Sequence, residues 1–163
     1  PGAKIVFIGP CTAKKMEYQL ETVSPWIDSV ITFEELQALF DSRDLDITTL
    51  EEEVMDNASY YGRIFARSGG LSDAVAEALK ENFVEDFDLK AVACDGIEAC
   101  RIALLKASKG RLDGNFIEGM ACMGGCIGGA GCLTHGDKNK AEVDKYGREA
   151  YEKTIKDAIK VLK

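Results

Sequence analysis

Short apolar runs, most of them cut off by glycine, proline or a charged residue, alternate along this chain with stretches whose apolar side chains recur every three or four positions. A period of two and a period near 3.6 belong to different backbones, so the alternation predicts strands interleaved with helices. Residues 4–9 (KIVFIG) read as a buried strand that Pro10 ends, and 26–32, 63–67, 90–94 and 115–118 read as further strands. Thr32, followed three residues later by Glu35, is a capping box opening a helix to about Phe40. Ser68, Gly69 and Gly70 turn into a helix over 72–82 with Val75, Ala78 and Leu79 on its apolar side. Residues 96–108 predict another helix, facing inward with Ile97, Cys100, Ala103 and Leu104, and 138–162 read as one closing helix. The acidic stretch 41–56, with LEEEVMD inside it, reads as a solvated loop containing a short helix.

Strands separated by helices define an α/β layered domain with a mainly parallel sheet flanked by helices. The 163 residues suit a single domain, long enough to bury a core. Ligands of such sheets sit beyond the carboxyl ends of the strands. Cys11 follows the first strand and Cys122 the last, so both are expected at one end of the sheet.

A formal charge of −8 argues against a surface for nucleic acid or anionic membrane. The apolar runs are too short to span a bilayer, and no signal-peptide pattern leads the chain. The expected location is the cytoplasm. The chain opens PGAKIVFIG, with a strand by its fourth residue, which gives the expectation of a domain excised from a longer protein.

Six cysteines (Cys11, Cys94, Cys100, Cys122, Cys126 and Cys132) are enough for three disulfides, but a chain of this size needs no such staples. In a reducing compartment, clustered cysteines serve metal or redox chemistry. Half of them lie in MACMGGCIGGAGCLTHG, residues 120–136, with six glycines and the single histidine. On one helical turn Cys122 and Cys126 would hold their Cβ atoms roughly 5–6 Å apart, a spacing that suits a bulky iron–sulfur cluster and does not exclude zinc. Glycines let backbone approach an inorganic group and turn N–H donors towards it. The alternative is a glycine-rich turn with incidental thiols. No Lys-Ser/Thr ending or dinucleotide fingerprint makes the segment a phosphate loop. In IGPCTAKKME, Cys11 lies near Lys14 and Lys15, cations that favour thiolate or hold an anion, with Glu17 six residues on; a strand-end cysteine beside surface lysines is the plainer account.

Together PCTAKKME (residues 10–17) and EGMACMGGCIGGAG (residues 118–131) resemble two of the three signature motifs of iron-only (FeFe) hydrogenase large subunits, roughly M-P-C-x-x-K-x-x-E and E-x-M-A-C-x-x-G-C-x-x-G-G-G. FARSGG at 65–70 resembles a stretch between those motifs, and the resemblance spans nearly the whole chain. It implies that the chain is a C-terminal fragment of the H-cluster domain, one lobe of a two-lobed catalytic domain. Cys11, Cys122 and Cys126 would be three of the four thiolates holding a 4Fe–4S cluster joined to a two-iron unit, with Cys126 shared between the two parts. Lys14 would donate to a cyanide of the two-iron unit, Met120 would pack beside it, and Glu17 would anchor Lys14. The implied chemistry is reversible interconversion of H2 with protons and electrons. The implied partners are the remainder of the catalytic domain and an electron carrier such as ferredoxin, and the fragment alone is expected to be inactive.

The chain departs from the family at several points. The T-S-C-C-P-x-W motif with the fourth cluster cysteine is absent, Gly9 replaces a methionine, Ala130 interrupts the triple glycine, and Cys132-Leu133 replaces Gln-Pro. These changes resemble divergent, sensory-type members. A non-enzymatic iron–sulfur protein and a structural zinc module stay open as alternatives. Cys132 is either an extra ligand or a spectator, Cys94 and Cys100 read as core packing, and His135 as a loop contact.

Overall fold

The structure, a computed structural model, describes residues 2–53 and 58–162. Residues 54–56, the end of the acidic stretch, lie outside them. The chain divides into two compact units, Pro1–Glu53 with Gly128–His135, and Val54–Ile127 with Gly136–Lys163.

In the first unit β1 (Val6–Ile8) leads through the single-turn α1 (Lys14–Glu17) to β2 (Ser29–Ile31), α2 (Phe33–Asp41) and a 3-10 turn at Ile47–Thr49. The strands pair in parallel, Val6 opposite Ser29 and Ile8 opposite Ile31. Asp28 sets where they begin: its carboxylate accepts from Ile5 N and from Lys4 Nζ, each at 2.8 Å. Thr32 stops β2 and starts α2. Its Oγ1 accepts from Glu35 N at 3.2 Å while Glu35 Oε2 accepts from Thr32 N at 2.8 Å, the capping box read from the sequence. Lys15 Nζ then donates to both Glu35 oxygens, at 2.8 and 2.7 Å, and to Val30 O at 3.3 Å. Gly131 N donates to Pro10 O at 2.9 Å, and a Cβ on Gly131 would lie 2.6 Å from Thr32 Cβ, so only glycine fits there.

β1 is not the buried strand its composition predicts: Ile5, Val6, Phe7 and Ile8 are all exposed. Uniformly apolar strands belong to sheets covered on both faces. Among the described residues β1 pairs with β2 alone, and two strands of three residues cannot cover it. β2 is shorter than 26–32, with Trp26 exposed in the turn before it.

The second unit contains α3 (Tyr60–Arg63), α4 (Gly70–Glu81), β3 (Ala91–Asp95), α5 (Ile97–Ser108), β4 (Phe116–Met120), α6 (Lys138–Arg148), α7 (Ile155–Ala158) and a closing 3-10 turn at Ile159–Leu162. β3 and β4 are parallel, in register from Ala91 opposite Phe116 to Asp95 opposite Met120, with α5 as the crossover helix that a parallel pair requires. The fold is therefore α/β with parallel sheets flanked by helices, built as two two-stranded sheets where the sequence predicts one. Cys11 and Cys122 each follow a strand, but of different sheets.

Three elements of this unit depart from expectation. Residues 63–67 are no strand: Ser59 caps α3 by accepting from Gly62 N, Ile64 is fully buried, and Arg67 joins only an isolated antiparallel bridge to Gly125. The predicted closing helix breaks after α6 because Thr154 caps a new start and Glu81 accepts from Ile155 N at 2.7 Å and Lys156 N at 3.0 Å, diverting the backbone. α5 buries Ala103 but leaves Ile97 and Leu104 exposed, because β3 and β4 cover only a narrow stripe of it.

Candidate metal centre

β4 delivers the chain to the cysteine and glycine segment at Met120, whose carbonyl accepts from Gly96 N at 2.9 Å. Cys122 and Cys126 do not share a helical turn, as their spacing predicts. They bracket a tight turn in which Gly125 N donates to Cys122 O at 3.1 Å and Gly124 has φ +81°, at the position type II turns reserve for glycine. Two successive positive-φ residues, the second being Gly125 at +88°, exclude right-handed helix here. The turn ends in a 3-10 turn at Cys126–Gly128. Cys122 is half-buried and Cys126 exposed.

This turn lies against the FARSGG segment. Ser68 N donates to Gly124 O at 3.0 Å and Ile127 N to Ala66 O at 3.1 Å, on either side of the bridge from Arg67 to Gly125. A Cβ on Gly125 would fall 2.6 Å from Ser68 N and 2.9 Å from Ala66 O. From β3, Asp95 Oδ1 accepts from Gly124 N at 2.5 Å. The family resemblance of FARSGG thus has a structural counterpart: it is the segment that backs the cysteine turn. Arg67 anchors that segment, 7% exposed, donating to Asp144 and Asp73. Burial opposes its charge, but hydrogen bonds with Asp144, Asp73 and Tyr60 outweigh that and hold the guanidinium above the ordinary arginine range. Nothing in the sequence marks Asp95 or Arg67, because their partners are distant along the chain.

In the first unit, half-buried Cys11 follows Pro10 on the loop between β1 and α1. Lys14 Nζ donates to Glu17, the anchoring contact expected of that pair. The remaining cysteines behave as packing groups. Cys94 is 3% exposed, its thiol pushed up by burial and then by Cys100 and Glu118. Cys100 Sγ lies 3.5 Å from Met120 O, and Cys132 is buried. His135 Nε2 meets Gly129 O at 3.1 Å, a loop contact. An apolar cavity of about 420 Å³ beside α3, α4 and α7 contains none of the predicted ligands.

The residues present fit an iron–sulfur group. None of the six cysteines is in a disulfide, and Cys126 is exposed. Thiolate is the donor such clusters take, and the glycine turn leaves no side chain between Met123 and Cys126 to obstruct one. Among the described residues no three His, Cys, Asp or Glu side chains form a ready metal site. No helix among them is long and apolar enough to cross a membrane.

The chain is thus an α/β protein with parallel sheets whose glycine turn is bracketed by two cysteines. Residues 2–130 match the C-terminal domain of the iron-only hydrogenase large subunit, and the chain belongs to that family. It is 30% identical to iron hydrogenase 1 of Clostridium pasteurianum over 85% of its own length and 30% of the relative's. It is 24% identical to the human nuclear prelamin A recognition factor, covering 77% of this chain and 35% of that one. It spans about a third of the length of these curated relatives. The FeFe-hydrogenase HydA(deltaEFG) has the same fold, with a TM-score of 0.63 at 20% identity over 98% of this chain and 56% of that one. HydA1 of Chlamydomonas reinhardtii gives 0.60 at 19% over 93% and 54%.

Proposed function

We propose that this chain is the C-terminal part of the H-cluster domain of an iron-only hydrogenase, in which Cys11, Cys122 and Cys126 are cluster ligands. The observation that carries this reading is the Cys122 to Cys126 turn, held by backbone hydrogen bonds to Ala66 and Ser68 and ending at an exposed cysteine, in a member of that family. The group they would hold is a 4Fe–4S cluster joined to a two-iron unit, and when bound it supplies the interconversion of H2 with protons and electrons. The protein's part is to hold and orient. Cys122 and Cys126 present two thiolates from one turn, Cys11 a third from its own loop, and Lys14 Nζ, kept by Glu17, offers a donor to an anionic ligand. Met120 supplies an apolar wall.

The fragment's counterpart is the rest of the catalytic domain, with an electron carrier such as ferredoxin beyond it, in the cytoplasm; alone it is inactive. The test is anaerobic reconstitution with iron and sulfide, counting iron per chain and recording the visible spectrum beside Cys11→Ser and Cys126→Ser. Near four irons, lost in both variants, supports the reading; a colourless protein that binds zinc instead overturns it.

Gly9, Ala130 and Cys132 favour a second reading, a sensing or non-enzymatic iron–sulfur role. Dye-linked H2 oxidation by the longer protein, loaded with cluster, separates the two: turnover supports the enzyme, and cluster without turnover the sensor.

A further inference from the structure

The thiols, Lys14 and Met120 leave the glutamate that opens the second motif without a task. Glu118 lies in β4, four residues before Cys122, and is 1% exposed. A carboxylate in such a place is tolerated only when its oxygens are satisfied. They are: Oε1 accepts from Gly69 N at 2.8 Å, and Oε2 accepts from Ser72 N at 2.8 Å and Ser72 Oγ at 2.5 Å. Gly69 is the N-cap of α4 and has no side chain to cap it. Ser72 occupies the third helical position, whose N–H a capping side chain ordinarily satisfies. Glu118 therefore caps α4 from a distant strand, its charge at the positive end of a twelve-residue helix.

The capped residues continue directly into the segment that backs the cysteine turn. Ala66 and Ser68 hold Ile127 and Gly124, and Gly125 is pressed against them without room for a Cβ. One carboxylate thus joins β4, which leads into Cys122, to the segment whose backbone holds Gly124 and Ile127 on either side of Cys126. We infer that Glu118 is a positioning residue for the Cys122 and Cys126 thiol pair, acting through residues 66–72. This rests on the reading that those thiols bind a common group.

The test uses the full chain in its cluster-free state and phenylarsine oxide, a trivalent arsenical that bridges two adjacent thiols, with the signal defined as the part lost in Cys126→Ser. Glu118→Gln should weaken that binding at least tenfold below the onset of unfolding, because its amide sets an N–H against the N–H donors. Thr154→Ala, which loosens the same unit at α7, should leave it unchanged, and Glu118→Asp should fall between. Equal binding by wild type and Glu118→Gln overturns the inference, as does an equal loss in Thr154→Ala. If Glu118→Gln does not fold, Ser72→Ala decides, a loss of threefold or more supporting the inference and none overturning it. Iron uptake by the wild type is scored separately: arsenical binding that depends on Glu118 in a chain that takes up no iron defeats the cluster reading and leaves this one standing.

Discussion

Arg67 Nε donates to Asp144 Oδ1 at 2.6 Å across 77 positions of sequence, pinning the segment behind the cysteine turn to α6. The same guanidinium donates to Asp73 at 2.8 Å on α4. Its replacement strips Asp144, 22% exposed, of its ion pair, while Asp73, 51% exposed, stays solvated, a loss of about 1–3 kcal/mol. Arg67→Met should therefore lower Tm by roughly 5 °C in a thermal melt, at about 2–4 °C per kcal/mol for a chain of this size. A change below a degree or two would mean that this network carries no net stability.

Gly125 and Gly110 both have positive φ, +88° and +63°, yet their surroundings differ. A Cβ at Gly110 meets nothing within 4 Å, whereas at Gly125 it meets Ser68 N at 2.6 Å. Gly110→Ala should cost about 1 kcal/mol of backbone strain. Gly125→Ala should cost roughly 3 kcal/mol or more and also abolish iron uptake on reconstitution, because the turn must leave its backing segment. Equal Tm losses in the two variants would show that the close contact yields easily.

Lys15 holds the Glu35 carboxyl below its usual range, with the Thr32 amide adding to the effect. A carboxyl depressed on folding contributes stability that is whole above its unfolded value near 4.5 and is lost as pH falls through the lower folded value. The Tm difference between wild type and Glu35→Gln should be constant at pH 6 and above and shrink below pH 4.5. Because the pair is exposed, part of the difference should also vanish at about 1 M ionic strength. A difference that grows on acidification would refute the assignment.

Alkylation should sort the cysteines by access and acidity. Cys126 is exposed, while Cys94 is buried with its thiol pushed up. Brief iodoacetamide treatment of the native chain at neutral pH, read by peptide mass spectrometry, should modify Cys126 first and Cys94 and Cys132 only after unfolding. Early labelling of Cys94 would contradict its place in the core.

Local signals proved legible where a short stretch contains its own partners. Thr32 and Glu35 satisfy each other within one turn, so the capping box and α2 could be read directly. β3 and β4 announce themselves by composition and differ from expectation by a residue or two. Long-range contacts hid the rest. Residues 63–67 have strand-like composition, but Ser59 starts a helix at Tyr60 and Arg67 is claimed by Asp144. The closing helix is broken by Glu81, far back in the chain. At the candidate centre the sequence names the cysteines; the consecutive positive-φ glycines that keep Cys122 and Cys126 off a helix depend on the 66–68 segment, which periodicity does not reveal.

The bond from Gly131 N to Pro10 O also sets an order of events during synthesis. A ribosome adds Gly131 after Pro10 and Cys11 by an interval on the order of ten seconds, at roughly 5–20 residues per second. Through that interval the Cys11 loop lacks the neighbour that closes it, and a nascent chain halted before Gly131 never acquires it. The Cys11 loop thus takes its final backbone setting only after both Cys122 and Cys126 have been made.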